Sequence, residues 1–71
     1  NGLLINAAKS LTLDNMNVNS GAGVTSTIEN NGTLNLKAST INGNNDPVVK
    51  NNTGSILELL DSSGTSSIKQ N

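Results

Sequence analysis

Residues 28–42, Ile-Glu-Asn-Asn-Gly-Thr-Leu-Asn-Leu-Lys-Ala-Ser-Thr-Ile-Asn, nearly copy residues 5–19, Ile-Asn-Ala-Ala-Lys-Ser-Leu-Thr-Leu-Asp-Asn-Met-Asn-Val-Asn. Sliding one over the other without a gap puts Ile5 on Ile28, Leu11 on Leu34, Leu13 on Leu36, Val18 on Ile41 and Asn19 on Asn42. A third Leu-x-Leu, Leu57-Glu58-Leu59, follows at the same interval. A period of this length marks a supersecondary unit that cannot bury its apolar face alone and must stack on its neighbours.

Within each unit the apolar residues alternate with polar ones, the period of a half-buried strand. No window carries the three-four spacing of a helix. Leu11–Leu13 and Met16–Val18 read as strands, as do Leu34–Leu36 and Ser39–Ile41, and Val24–Ile28 and Val48–Lys50 as the third strand of each coil. In the last coil the strands fall at 57–59, 60–62 and 67–71. Placing Leu57 and Leu59 inward keeps Glu58 in water, whereas the opposite register buries a carboxylate at high cost. Leu3-Leu4-Ile5 forms a short apolar edge ahead of the first full coil. Loops are expected at Ser20–Gly23 and Gly43–Pro47.

Winding such units on one another pairs each strand with its equivalent one coil away, in parallel and about 4.8 Å distant. The expected fold is therefore all-β: a right-handed parallel β-helix, or β-solenoid, of about three coils of roughly 19–23 residues. Residues 1–71 form one solenoid segment, with coils near 5–27, 28–48 and 49–67, and are expected to be a piece of a longer repeat protein. The expected core columns are Leu11/Leu34/Leu57, Leu13/Leu36/Leu59, Val18/Ile41, and Ile5/Ile28/Val49/Ile68.

Asn, Ser and Thr supply 30 of the 71 residues. Asn tolerates left-handed backbone, and its amide can bond to an Asn one layer away. Asn30, Asn31, Asn51 and Asn52 are therefore placed at corners, in the columns Ala7/Asn30/Asn51/Gln70 and Ala8/Asn31/Asn52/Asn71. On the outer face Asp14 lies over Lys37, and Glu29 over Lys50 and then Lys69.

The phrase spanning residues 30–44, Asn-Asn-Gly-Thr-Leu-Asn-Leu-Lys-Ala-Ser-Thr-Ile-Asn-Gly-Asn, resembles the repeat of parallel β-helix surface proteins. It is most similar to the passenger regions of autotransporter adhesins of the pertactin-like kind. The resemblance implies an extracellular setting at a bacterial cell surface. It carries over no functional residue, because the repeat is a scaffold pattern.

Composition removes most chemistry. There is no His and no Cys, which excludes most nucleophile and zinc sites. Four spread lysines and a net charge of −1 make no nucleic-acid footprint. No apolar run reaches membrane-spanning length. The five carboxylates, Asp14, Glu29, Asp46, Glu58 and Asp61, are scattered, and neither a catalytic pair nor a calcium loop emerges. Thr25-x-Thr27 resembles the threonine pairs of ice-binding solenoids, but the next coil does not continue it. No catalytic, cofactor or metal site is expected.

The expected role is a structural or adhesive, non-catalytic segment of a secreted surface rod. Its partners would be adjoining coils of a parent chain, or a host surface or glycan reached through the loops. A self-assembling fibre subunit is the alternative, and a piece of a carbohydrate-active β-helix a third. The end coils carry ordinary core residues and no cap, so further coils of the same kind are expected to satisfy them. The free chain is then expected to be unfolded when dilute and filamentous when concentrated.

Overall fold

The computed structural model describes residues 2–20, 25–44, 47–60 and 66–70. Nine strands and no helix occur among them. The strands are β1 (Leu3–Ile5), β2 (Ser10–Asp14), β3 (Asn17–Asn19), β4 (Ile28–Asn30), β5 (Thr33–Lys37), β6 (Thr40–Gly43), β7 (Val49–Asn51), β8 (Ile56–Leu59) and β9 (Ser67–Gln70). They form three parallel three-stranded sheets, β1-β4-β7, β2-β5-β8 and β3-β6-β9. The chain is thus a parallel β-solenoid of about three coils, each contributing one strand to every sheet. Its shortest extent, 15 Å, is close to the thickness of three backbones stacked about 4.8 Å apart.

The β2-β5-β8 sheet carries the expected register. Leu11 pairs with Leu34 and then Leu57, and Leu13 with Leu36 and then Leu59. Leu34 and Leu36, sandwiched between leucines, are completely buried, and Glu58 lies on the exposed side. The Val18/Ile41 column also holds. The outer pairs Asp14–Lys37 and Glu29–Lys50 are register partners as expected.

The β1-β4-β7 sheet departs from the gapless alignment. Leu3, not Ile5, pairs with Ile28, and Ile28 with Val49; Ile5 instead heads the column Ile5/Asn30/Asn51. The cause is unequal corners. Residues 6–9 join β1 to β2 and 52–55 join β7 to β8, whereas only 31–32 join β4 to β5. The long corners close on their own backbone, Lys9 N–H donating to Asn6 O at 3.1 Å and Ser55 N–H to Asn52 O at 3.0 Å. The short corner closes on a side chain: Gly32 N–H donates to Asn30 Oδ1 at 3.0 Å. Gly32 is required there, since a Cβ would collide with the backbone oxygens of Lys9 and Asn6.

The last coil is corrected too. Its strand in the third sheet is β9, not residues 60–62; Leu60 is exposed and 61–62 fall outside the described residues. Ile68 accordingly lies under Ile41 and completes Val18/Ile41/Ile68, rather than stacking beneath Val49, Ile28 and Ile5. Lys69 pairs with Asn42 and not with Lys50, and Gln70 pairs with Gly43 and not with Asn51. Gly43 belongs to β6, so the expected loop there begins one residue later. The strands expected at Val24–Ile28 and Val48–Lys50 are β4 and β7, which begin at Ile28 and Val49; Val24 lies outside the described residues.

The core consists of Ile5, Leu13, Ile28, Leu34, Leu36, Ile41 and Val48, with Leu11, Val18 and Val49 packed against it. Of the expected core positions, Leu57, Leu59 and Ile68 point inward but stay 37%, 56% and 39% exposed, because theirs is the terminal coil.

Candidate functional site

The most organised polar chemistry lies inside the stack. Asn30 is fully buried. Its Nδ2 donates to Asn51 Oδ1 at 3.0 Å and to Ile56 O at 2.9 Å, while its Oδ1 holds Gly32 N–H. Beside it runs a second ladder step, Asn52 Nδ2 to Asn31 Oδ1 at 2.6 Å, with Glu29 Oε2 accepting from the same amide at 3.0 Å. A third step joins Asn42 Nδ2 to Asn17 Oδ1 and Asn19 Oδ1 at 3.2 and 3.0 Å on the outer surface.

These contacts bear out the ladder steps Asn30–Asn51 and Asn31–Asn52; the rest of the first column is corrected, and Asn71, expected at the foot of the second, lies outside the described residues. Ile5, not Ala7, stands over Asn30. Left-handed backbone falls on Ala8, Asn15 and Ala38, and on none of Asn30, Asn31, Asn51 and Asn52. Asn30 and Asn51 end strands rather than turning corners.

Ser39 forms a further buried column that the sequence reading missed. Met16 N–H donates to Ser39 Oγ at 3.1 Å, and Ser39 N–H donates to Ser66 Oγ at 3.1 Å. The Ser39 hydroxyl itself lies 2.9 Å from Lys37 O and 3.0 Å from Leu13 O. The signal was present: Ser39-Thr40-Ile41 and Ser66-Ser67-Ile68 share one pattern. Val48 and Thr27, also buried, immediately precede β7 and β4. Thr27 Oγ1 donates to Asn42 O at 3.1 Å and sits 2.7 Å from Ser20 Oγ. Thr25 is exposed while Thr27 is buried, so the two hydroxyls share no surface.

Among the described carboxylates, Asp14 is on β2, Glu29 on β4 and Glu58 on β8. Asp46 and Asp61 lie outside the described residues. Among the described residues no three His, Cys, Asp or Glu side chains come together as metal ligands. One cleft of about 170 Å³ is lined by Gly2, Leu3, Leu4, Thr25, Ser26 and Glu29, with the Ser26 hydroxyl unbonded at its wall.

The remaining feature is the pair of open coil faces. One carries the edges of β1, β2 and β3, the other those of β7, β8 and β9. The first exposes Leu3, and the second exposes Leu57, Leu59 and Ile68. Chemically these faces offer apolar contact and unpaired strand edges. No protein-family model, curated protein or solved structure matches the chain.

Proposed function

We propose that the chain is a non-catalytic structural segment of an extracellular β-solenoid, a stiff piece of a bacterial surface rod that holds adhesive loops away from the cell. The carrying observation is the Asn30–Asn51 ladder, in which a fully buried amide spends its hydrogen bonds on holding one coil to the next. Such bonds rigidify a stack and offer nothing to a reacting substrate. The dispersed carboxylates and the lack of His and Cys agree with a scaffold. The similarity of residues 30–44 to adhesin passenger repeats supports the surface setting.

Contact with a host surface or glycan would fall to the segments 20–23 and 44–47, which join successive coils. The test uses beads coated with the chain and cultured epithelial cells. Beads bearing a variant with both segments replaced by Gly and Ser, and with unchanged far-UV circular dichroism, should lose attachment. Equal attachment by both bead types would refute the adhesive role. Attachment by neither would refute it as well.

A further inference from the structure

We propose that Asn31 is a site of spontaneous covalent modification, deamidation through attack by the Gly32 nitrogen, which the wound coil holds off and unwinding releases. The proposal is independent of the adhesive role, since it needs only the corner between β4 and β5 and the coils that flank it.

Asn-Gly is prone to this chemistry, because glycine has no side chain to block the approach of its nitrogen to the preceding side-chain amide. Two such pairs lie among the described residues, Asn31-Gly32 and Asn42-Gly43. The only co-reactant is water. The Gly32 nitrogen gives its proton to solvent base and bonds to Asn31 Cγ. The Cγ–Nδ2 bond breaks, and Nδ2 takes up a proton and leaves as ammonia. Water then opens the five-membered succinimide at either carbonyl, giving aspartate or isoaspartate. Nothing is oxidised or reduced.

The two pairs carry different locks. Asn42 and Gly43 both belong to β6 and are held by sheet pairing to β3 and β9. Asn31 and Gly32 lie between strands, so side chains must hold them. Gly32 is buried, and its N–H donates to Asn30 Oδ1 at 3.0 Å. The Asn30 amide is itself fully buried and tied to Asn51 and Ile56. Solvent base reaches the Gly32 proton only when the corner opens, the same condition that governs amide exchange. The other partner is pinned as well. Asn31 N–H donates to Ile5 O at 2.9 Å, and Asn31 Oδ1 accepts from Asn52 Nδ2 at 2.6 Å, which draws the side chain toward the next coil.

The product does not fit the corner. Asn31 Oδ1 and Glu29 Oε2 accept from one Asn52 amide. Aspartate at position 31 sets a second carboxylate near Glu29, where like charges repel. Isoaspartate adds a backbone atom to a two-residue corner in which even a Cβ on Gly32 would collide with the backbone oxygens of Lys9 and Asn6. Modification therefore marks a chain that has unwound and hinders its rewinding.

The test incubates the chain at mildly alkaline pH and locates aspartate and isoaspartate by peptide mapping with mass spectrometry. Asn42 serves as the internal clock for unfolding. In concentrated urea both pairs should react at similar rates. In native buffer Asn31 should react at least roughly tenfold more slowly than in urea, a factor that corresponds to about 1.4 kcal/mol. Equal rates in the two solvents would overturn the proposal. Asn30→Ala removes the acceptor of the Gly32 N–H. With unchanged far-UV circular dichroism, it should speed Asn31 relative to Asn42 by about fivefold or more, the factor of one buried hydrogen bond. An unchanged ratio in that folded variant would overturn the proposal. Where Asn30→Ala does not fold, the unsubstituted chain decides, in a urea series below its midpoint. Modification of Asn31 should rise in proportion to exchange of the Gly32 amide proton. Modification at the full urea rate while that proton stays protected would refute the lock.

Discussion

Replacing Asn30 by Ile copies the residue that stands one coil above it, since Ile5 is its register partner. Hydrophobicity alone predicts a gain, because the position is fully buried. The hydrogen bonds predict a loss. The substituted isoleucine would leave the buried Gly32 N–H without an acceptor, at about 1–3 kcal/mol. Asn51 Oδ1 and Ile56 O would each lose a donor beside water, at about 0.5–1.5 kcal/mol apiece. The total is roughly 2–6 kcal/mol, against about 4–10 kcal/mol for the stability of a chain this size. Asn52→Ala is the comparison: its ladder bond is only half-buried and water can replace it, so the cost should stay below about 1 kcal/mol. Urea melts followed by far-UV circular dichroism, at one fixed chain concentration, measure both. A neutral or stabilising Asn30→Ile, or equal damage from the two variants, would refute the role given to the Asn30 amide in closing the short corner.

Other substitutions probe the same stack, each by the same melts. Leu36→Ala should cost about 3 kcal/mol, because the side chain is covered on both sides, and Leu59→Ala about 1 kcal/mol, because more than half of it meets water; equal losses would contradict the layer order. Gly32→Ala should cost about 2–3 kcal/mol, since its Cβ would press on the backbone oxygens of Lys9 and Asn6. Ser39→Ala should cost about 1–3 kcal/mol by orphaning Met16 N–H. Ala38→Asn should stabilise by about 0.5–1 kcal/mol, because Ala38 sits at φ 50° in the left-handed region that Asn15 occupies one coil earlier.

The β2-β5-β8 register was legible because its signal is redundant. Leu-x-Leu recurs three times at one interval, and a slip by one residue would turn every leucine outward and bury Glu58. The third sheet was half legible: Val18 and Ile41 announced themselves, while Ile68 was misplaced because residues 60–62 were read as the strand beneath Ile41. The β1-β4-β7 sheet was not legible from apolar residues. Its register depends on corner length, and the short corner depends on a side-chain amide that reads as an ordinary polar residue. Both Ile5 and Asn30 point inward at the same position, so polarity hides the equivalence that geometry imposes. The polar ladders were foreseen in kind, as Asn stacking on Asn, but the backbone conformation assigned to them was wrong.

The central claim is a stack of coils of unequal length, and cross-linking through the first sheet tests it most directly. Leu4 and Glu29 are register partners in β1 and β4, whereas coils of constant length would pair Asn6 with Glu29. Adjacent parallel strands bring partner Cα atoms to about 4.8 Å, within reach of a disulfide. In the Leu4→Cys/Glu29→Cys chain, an intramolecular disulfide should close readily at low concentration and raise the unfolding midpoint. In the Asn6→Cys/Glu29→Cys chain it should close poorly or lower that midpoint. The reverse ranking would contradict the register of the first sheet, and with it the placement of Asn30 at the centre of the stack.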